Sequence, residues 1–175
     1  MKKFKDMTNE ELIKKYPFLE IKDNSCYTTL PPNKYTWLDD LEDGWREAFG
    51  EDLCNELLES LTEEDDLYDF QFSQIKEKYG SLRLYCYGYK SERTRDVLAK
   101  YEELSTYICA RCGKPAKVIT KGWIFPMCQE CFDKTNLKDS VPIEEFYEFD
   151  SYDDVLKEID EIKNNFKYGR YWKTM

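Results

Sequence analysis

Two Cys-x2-Cys pairs constrain this chain more than any other feature. Cys109-Ala110-Arg111-Cys112 and Cys128-Gln129-Glu130-Cys131 are separated by 15 residues. Four thiolates at that spacing suit a tetrahedral divalent metal, because each turn brings two sulfurs to one ion and aims backbone amides at them. Gly113 follows the first pair, where a knuckle needs a residue that tolerates positive φ. Val118-Ile119 and Trp123-Ile124-Phe125 flank Thr120-Lys121-Gly122 and are expected to form a small hairpin. Cys128 and Cys131 then fall in the first turn of a helix, under the positive end of its dipole. Knuckle, hairpin and helix-borne ligands in that order are the treble-clef or zinc-ribbon plan. The expected cofactor is a structural Zn²⁺ held by Cys109, Cys112, Cys128 and Cys131, with an iron–sulfur cluster or a rubredoxin-like iron as the lesser alternative.

The chain contains no histidine, which removes Ser-His and Cys-His catalysis and imidazole metal ligands together. A closed four-thiolate site has no open position for water, so metal-assisted catalysis is not expected there. Seven cysteines are present, and Cys26, Cys54 and Cys86 remain once the four ligands are assigned. They read as buried thiols, since free Cys packs as a small hydrophobe. The basic start Met1-Lys2-Lys3 has no apolar stretch behind it, and no run of about 18 apolar residues occurs. Neither a signal peptide nor a membrane span is read, and a cytoplasmic location is expected.

The formal charge of −10 is unevenly spread. Residues 1–108 hold 24 acids and 15 bases, 109–138 hold 2 and 6, and 139–175 hold 10 and 5. The densest stretch, 35–75, has 14 acids against the single Arg46. An acidic body with a basic insert follows, organised as 1–108, a zinc module over 109–138, and a C-terminal helix and aromatic tail over 139–175. The net negative field argues against the whole molecule acting as a DNA binder.

Local patterns point to an α+β fold. Thr8-Asn9-Glu10-Glu11 is a capping box opening a helix that Pro17 stops. Residues 22–35 read as a loop. Thr36 with Asp39 reads as a second capping box, with Leu38, Leu41, Trp45 and Phe49 at helical spacing behind it, Gly50 as the stop, and a further helix through Leu53, Leu57 and Leu61. From Tyr68 the period changes to two. Phe70 and Phe72, then Leu82, Leu84 and Cys86, alternate around Tyr79-Gly80-Ser81 as a β-hairpin, with Ile75 out of step and expected at a bulge. Ser91 caps a helix whose stripe runs through Val97, Leu98, Tyr101, Leu104 and Ile108. Ser151 with Asp154 opens the last one, and the tail Tyr168 to Trp172 is expected to dock. The expected architecture is helices packed on a small antiparallel sheet, with a Zn(Cys)4 treble-clef or zinc-ribbon-like module.

Two surfaces invite a partner. The carboxylates Asp39, Asp40, Asp43, Glu47, Glu63, Glu64, Asp65 and Asp66 lie among aromatic residues. Such a surface mimics nucleic-acid phosphates well enough to occupy a basic groove in another protein, although a solvated face is the plainer explanation. On the zinc module Arg111, Lys114, Lys117, Lys121 and Trp123 suit nucleic-acid binding, or simply solubility. Paired carboxylates also raise a divalent-metal enzyme as a further alternative, but no spacing singles out a pair.

The order of motifs carries a resemblance. Asp43-Gly44-Trp45 with Cys54, then Ile75-Lys-Glu-Lys-Tyr-Gly-Ser-Leu-Arg-Leu-Tyr85, then Cys109-x2-Cys112-Gly113-Lys114-Pro115, Gly122-Trp123 and Cys128-x2-Cys131 resembles a group of small, functionally uncharacterised proteins encoded by bacteriophages, prophages and bacterial genomes. The resemblance covers roughly residues 37–135. It implies a zinc-containing accessory protein in the cytoplasm, transfers only the cysteine ligands, and brings no catalytic residue. The expected function is therefore non-enzymatic: binding a protein partner, and inhibiting a host defence or nucleic-acid-processing protein. A nucleic-acid-binding zinc-finger regulator is the alternative.

Overall fold

The computed structural model describes residues 3–22, 35–61 and 69–166. The N-terminal turn Phe4–Asp6 leads into α1, Asn9–Lys15, whose Thr8 capping box forms as expected: Thr8 Oγ accepts from the Glu11 N–H while the Glu11 carboxylate accepts from the Thr8 N–H. The Asp39 carboxylate accepts from both the N–H and the Oγ–H of Thr36, but the motif closes only the single turn Trp37–Asp40. The long helix, α2, starts later and spans Asp43–Ser60. Gly50 does not stop it. The apolar stripe Trp45, Phe49, Leu53, Leu57 runs on across Gly50, so burial outweighs the roughly 1 kcal/mol that an interior glycine costs.

Strands β1, Gln71–Lys78, and β2, Ser81–Tyr87, pair antiparallel around a two-residue turn. Tyr79 and Gly80 there have φ of 54° and 78°, the positive pair that a type I′ turn requires. The register shifts between Phe72 and Gln74, so the bulge lies at Ser73 and not at Ile75. That extra residue is what returns Ile75 to the face of Phe72, where it pairs with buried Leu84. Helix α3, Glu92–Ser105, is capped by Ser91 and packs on α2 and β2. Its side chains close the free edge of β2: the Leu82 N–H donates to Ser105 Oγ at 2.8 Å and the Leu84 N–H to Glu102 at 2.7 Å. A partner strand is thereby excluded from that edge. Ile108, read as the end of the helical stripe, lies past the helix and bridges to Pro115.

Beyond it come β3, Val118–Thr120, and β4, Pro126–Met127. The second strand of this small hairpin thus starts three residues later than expected, because Lys121 to Phe125 form the connection. The short helix α4 covers Gln129–Asp133, and β5, Ser140–Pro142, adds a third strand to give the order β4-β3-β5. Then α5, Ile143–Phe146, and α6, Tyr152–Asn165, return to the body, the latter capped by Ser151 and laid on α3. Among the described residues the main hydrophobic core runs from Leu12 and Tyr16 through Trp45 and Tyr101 to Ile119, Ile143 and Ile159, and a smaller cluster of Cys109, Val118, Met127 and Cys128 lies beside it. No helix of the described residues is long and apolar enough to cross a membrane. Cys26, the 22–35 loop from residue 23 to 34, Tyr68 and the aromatic tail from residue 167 lie outside the described residues.

Candidate metal centre

The knuckle is built by backbone hydrogen bonds before any metal is considered. The Cys109 N–H donates to Lys114 O at 2.8 Å, and the Gly113 N–H to Cys109 O at 2.9 Å, with Gly113 at φ 76°. The Ala110 N–H donates to Pro126 O, which fastens the knuckle to β4. Cys128 is the N-cap of α4: its Sγ accepts from the Cys131 N–H at 3.4 Å. Glu130, between the last two cysteines, accepts from Lys114 at 2.8 Å and from Lys134 at 2.9 Å, clipping the first pair to the second. Those lysines hold the Glu130 carboxyl well below the usual range, at about 2.

All four sulfurs of Cys109, Cys112, Cys128 and Cys131 lie within 4.8 Å of one another, and those of Cys112 and Cys128 are 3.6 Å apart. A tetrahedral ion with metal–sulfur bonds of about 2.3 Å would set its ligands about 3.8 Å apart, so the donor set fits such an ion in both chemistry and spacing. Among the described residues this is the one group of three or more side chains that can hold a metal. Burial opposes ionisation of Cys109, but backbone N–H groups of Cys128, Arg111 and Cys112 outweigh it and lower its pKa. Burial raises Cys112 and Cys131, and the neighbouring sulfurs push Cys131 further the same way. A divalent cation would pair with all four sulfurs and favour the thiolate form of each.

The centre is keyed to the body through α2. The Gly44 N–H donates to Ala110 O at 2.8 Å, and a Cβ on Gly44 would lie 2.6 Å from Cys112 N and 2.7 Å from the Ala110 carbonyl carbon. Only glycine lets the helix approach that closely. Fully buried Trp45 donates from Nε1 to Ile108 O at 3.0 Å and stacks on Phe125, 6.3 Å between centroids. Strand β3 splits its side chains by the period of two: Val118 joins Met127 and the cysteines, while Ile119 enters the main core. Residue spacing does not encode the role of Gly44 and Trp45, although a glycine in the first turn of a helix, beside a Trp, is a signal of close backbone approach.

The other candidate residues divide. Asp39 is used internally, accepting from the Thr36 N–H at 2.7 Å and pairing with Arg46 at 2.7 Å, and Asp40 accepts from Tyr35 Oη. Asp43 and Glu47 are exposed, while Glu63, Glu64, Asp65 and Asp66 lie outside the described residues. Of the basic set, Lys114 is paired with Glu130 and Lys117 sits 4.6 Å from the Tyr152 ring centroid. Arg111, Lys121 and Trp123 are exposed. Cys54 is buried and its thiol is pushed far up by burial, and half-buried Cys86 is pushed up to about 12. No protein-family model, curated protein or solved structure matches this chain.

Proposed function

We propose that the protein is a non-enzymatic accessory protein, stabilised by one Zn²⁺ at the four cysteines, that binds a protein partner through the acidic outer face of α2. Zinc is preferred because it takes four thiolates without redox chemistry. One observation carries the binding reading. Asp43, Glu47 and Glu51 recur every fourth residue on the exposed face of α2, with Asp52 beside them, and none forms an ion pair with a described cation. Like charges so spaced destabilise a helix by a few tenths of a kcal/mol per pair. Retaining that cost suits a face shaped for positive charge on another molecule, and the four acids line a groove of about 920 Å³ whose opposite charges are Lys3, Lys5 and Arg46. The resemblance of the motif order to phage-encoded small proteins supports a nucleic-acid-processing protein of a bacterial host as the partner, held inactive through its basic groove.

The test is parallel affinity capture from bacterial lysate with the parent chain and a Glu47→Lys/Glu51→Lys/Asp52→Lys variant. All three residues are exposed, so the melting temperature should stay within a few degrees. Loss of a captured protein from the variant alone, followed by loss of its inhibition, is the expected result. An identical capture profile from both would sink the proposal.

A further inference from the structure

Exposed aromatic side chains are concentrated on the β1–β2 hairpin and the turn packed against it. Six large apolar side chains are exposed among the described residues, and four of them, Tyr79, Tyr85, Tyr87 and Trp123, lie on the β1–β2 hairpin or on the turn that abuts it. The hairpin register points Ile75, Leu82 and Leu84 into the core. The alternate positions face outward, with Lys76 directly opposite Arg83. Like charges in that relation repel, and neither residue forms an ion pair with a described carboxylate. The Lys76 ammonium sits 4.9 Å from the Tyr85 ring centroid and that of Lys78 5.5 Å from Tyr79. Between Phe70 and Lys90 the bases Lys76, Lys78 and Arg83 stand against one acid, Glu77, whose carboxylate accepts from the Gly80 N–H at 2.6 Å.

The turn itself is unusual. Tyr79 holds φ 54°, a left-handed conformation that an aromatic residue rarely adopts, and is 74% exposed there. Trp123, equally exposed, faces it from the zinc-module turn. The two turns touch through Gly80 and Ile124, where a Cβ on Gly80 would lie 2.8 Å from Ile124 Cγ2. Between them is a cleft of about 330 Å³ lined by Glu77, Lys78, Tyr79, Gly122, Trp123 and Ile124.

We propose that this face binds single-stranded nucleic acid, with bases stacked on Tyr79, Tyr85 and Trp123 and phosphates held by Lys76, Lys78 and Lys121. Open rings interleaved with lysines are what an unpaired strand needs, since every base offers a π-face and every linkage a negative charge. The local charge is complementary although the whole chain is acidic. A duplex keeps its bases stacked on one another and cannot use the rings. An acidic peptide would satisfy the lysines but not three exposed aromatic faces. The surface shares no residue with the carboxylates of α2, so this inference goes beyond the partner reading and either can fail alone.

The experiment is fluorescence anisotropy of a labelled oligothymidylate of about 15 nucleotides against the full, zinc-loaded chain. Three phosphate contacts predict a log–log salt slope of about −2, an affinity loss of about 20-fold between about 50 and 200 mM salt. Trp123→Ala and Tyr85→Ala should each weaken binding roughly 10-fold, with Trp123→Phe retaining most of it. Tyr79→Gly separates fold from binding: glycine relaxes the turn, so the melting temperature should hold or rise while affinity falls. No saturable binding at low salt, equal affinity for a duplex of the same length, or equal displacement by polyglutamate would each overturn the proposal. So would Trp123→Ala and Tyr85→Ala proteins that bind like the parent.

Discussion

Gly44→Ala adds a single methyl group and should weaken the molecule at its most crowded junction. The new Cβ would lie 2.6 Å from Cys112 N and 2.7 Å from the Ala110 carbonyl carbon, both backbone atoms inside the knuckle. Relief needs a retreat of roughly 1 Å, which overpacking data place at about 1–3 kcal/mol. The same retreat stretches the 2.8 Å bond from the Gly44 N–H to Ala110 O, a further loss of about 1 kcal/mol. Alanine's better helix propensity returns at most about 1 kcal/mol. The net loss of about 1–3 kcal/mol corresponds to a melting point lower by roughly 2–12 °C for a chain of this size. Gly50→Ala on the same helix is the control. Its Cβ would meet only the Arg46 and Phe4 side chains, at 3.5 and 3.6 Å, which is ordinary contact. That variant should gain about 0.5–1 kcal/mol and melt slightly higher. Thermal unfolding of the zinc-loaded proteins by circular dichroism, with chelator competition for metal retention, reads both. A Gly44→Ala protein as stable and as metal-retentive as the parent would refute the docking of α2 on the knuckle. Equal losses from the two substitutions would refute it as well.

Two further outcomes follow from buried groups. Trp45→Phe removes the donor to Ile108 O and part of the stack on Phe125, so urea unfolding should show a loss of about 2–3 kcal/mol, and a loss under about 0.5 would contradict the bond. Glu103 has its carboxyl pKa raised by burial, with the Glu158 charge adding to the rise and the Tyr107 hydroxyl opposing it. Between the unfolded value near 4 and that raised value, the native state binds more protons than the unfolded chain, so stability from this group is full below the window and lost as pH rises through it. Glu103→Gln should therefore melt a few degrees higher than the parent at pH about 7 and together with it at pH about 3; a difference that ignores pH contradicts the assignment.

What was legible in the sequence was what is coded locally. Thr8, Ser91 and Ser151 cap their helices because side chain and amide are at most three residues apart. The hairpin over 71–87 announces itself by alternation and Tyr79-Gly80, and the four cysteines by spacing alone. Local reasoning failed where distant burial decides. Gly50 has the chemistry of a stop, yet the stripe from Trp45 to Leu57 carries the helix through it. Ser73 absorbs the register because both Phe72 and Ile75 must reach one core. Strand β5 was not visible: Ser140-Val141-Pro142 is three residues long, and only β3 makes it a strand. The pairing of Trp45 with Ile108 spans 63 residues of sequence, and no periodicity encodes it. For the site, the four cysteines were readable from their spacing, but their anchoring was not. Of the acidic candidates, Asp39 turned out to be a cap and an ion-pair partner, which only coordinates distinguish from a free surface carboxylate.

The central claim is that a metal at four cysteines holds together the knuckle on which the body of the protein is docked. Metal content of the purified chain, followed by thermal unfolding before and after chelation, tests it most directly. The account predicts one zinc per chain, lost on chelation together with a large drop in the melting temperature of the whole helical signal, and restored by added Zn²⁺. A chain that carries no metal, or that melts at the same temperature with its metal removed, would contradict it.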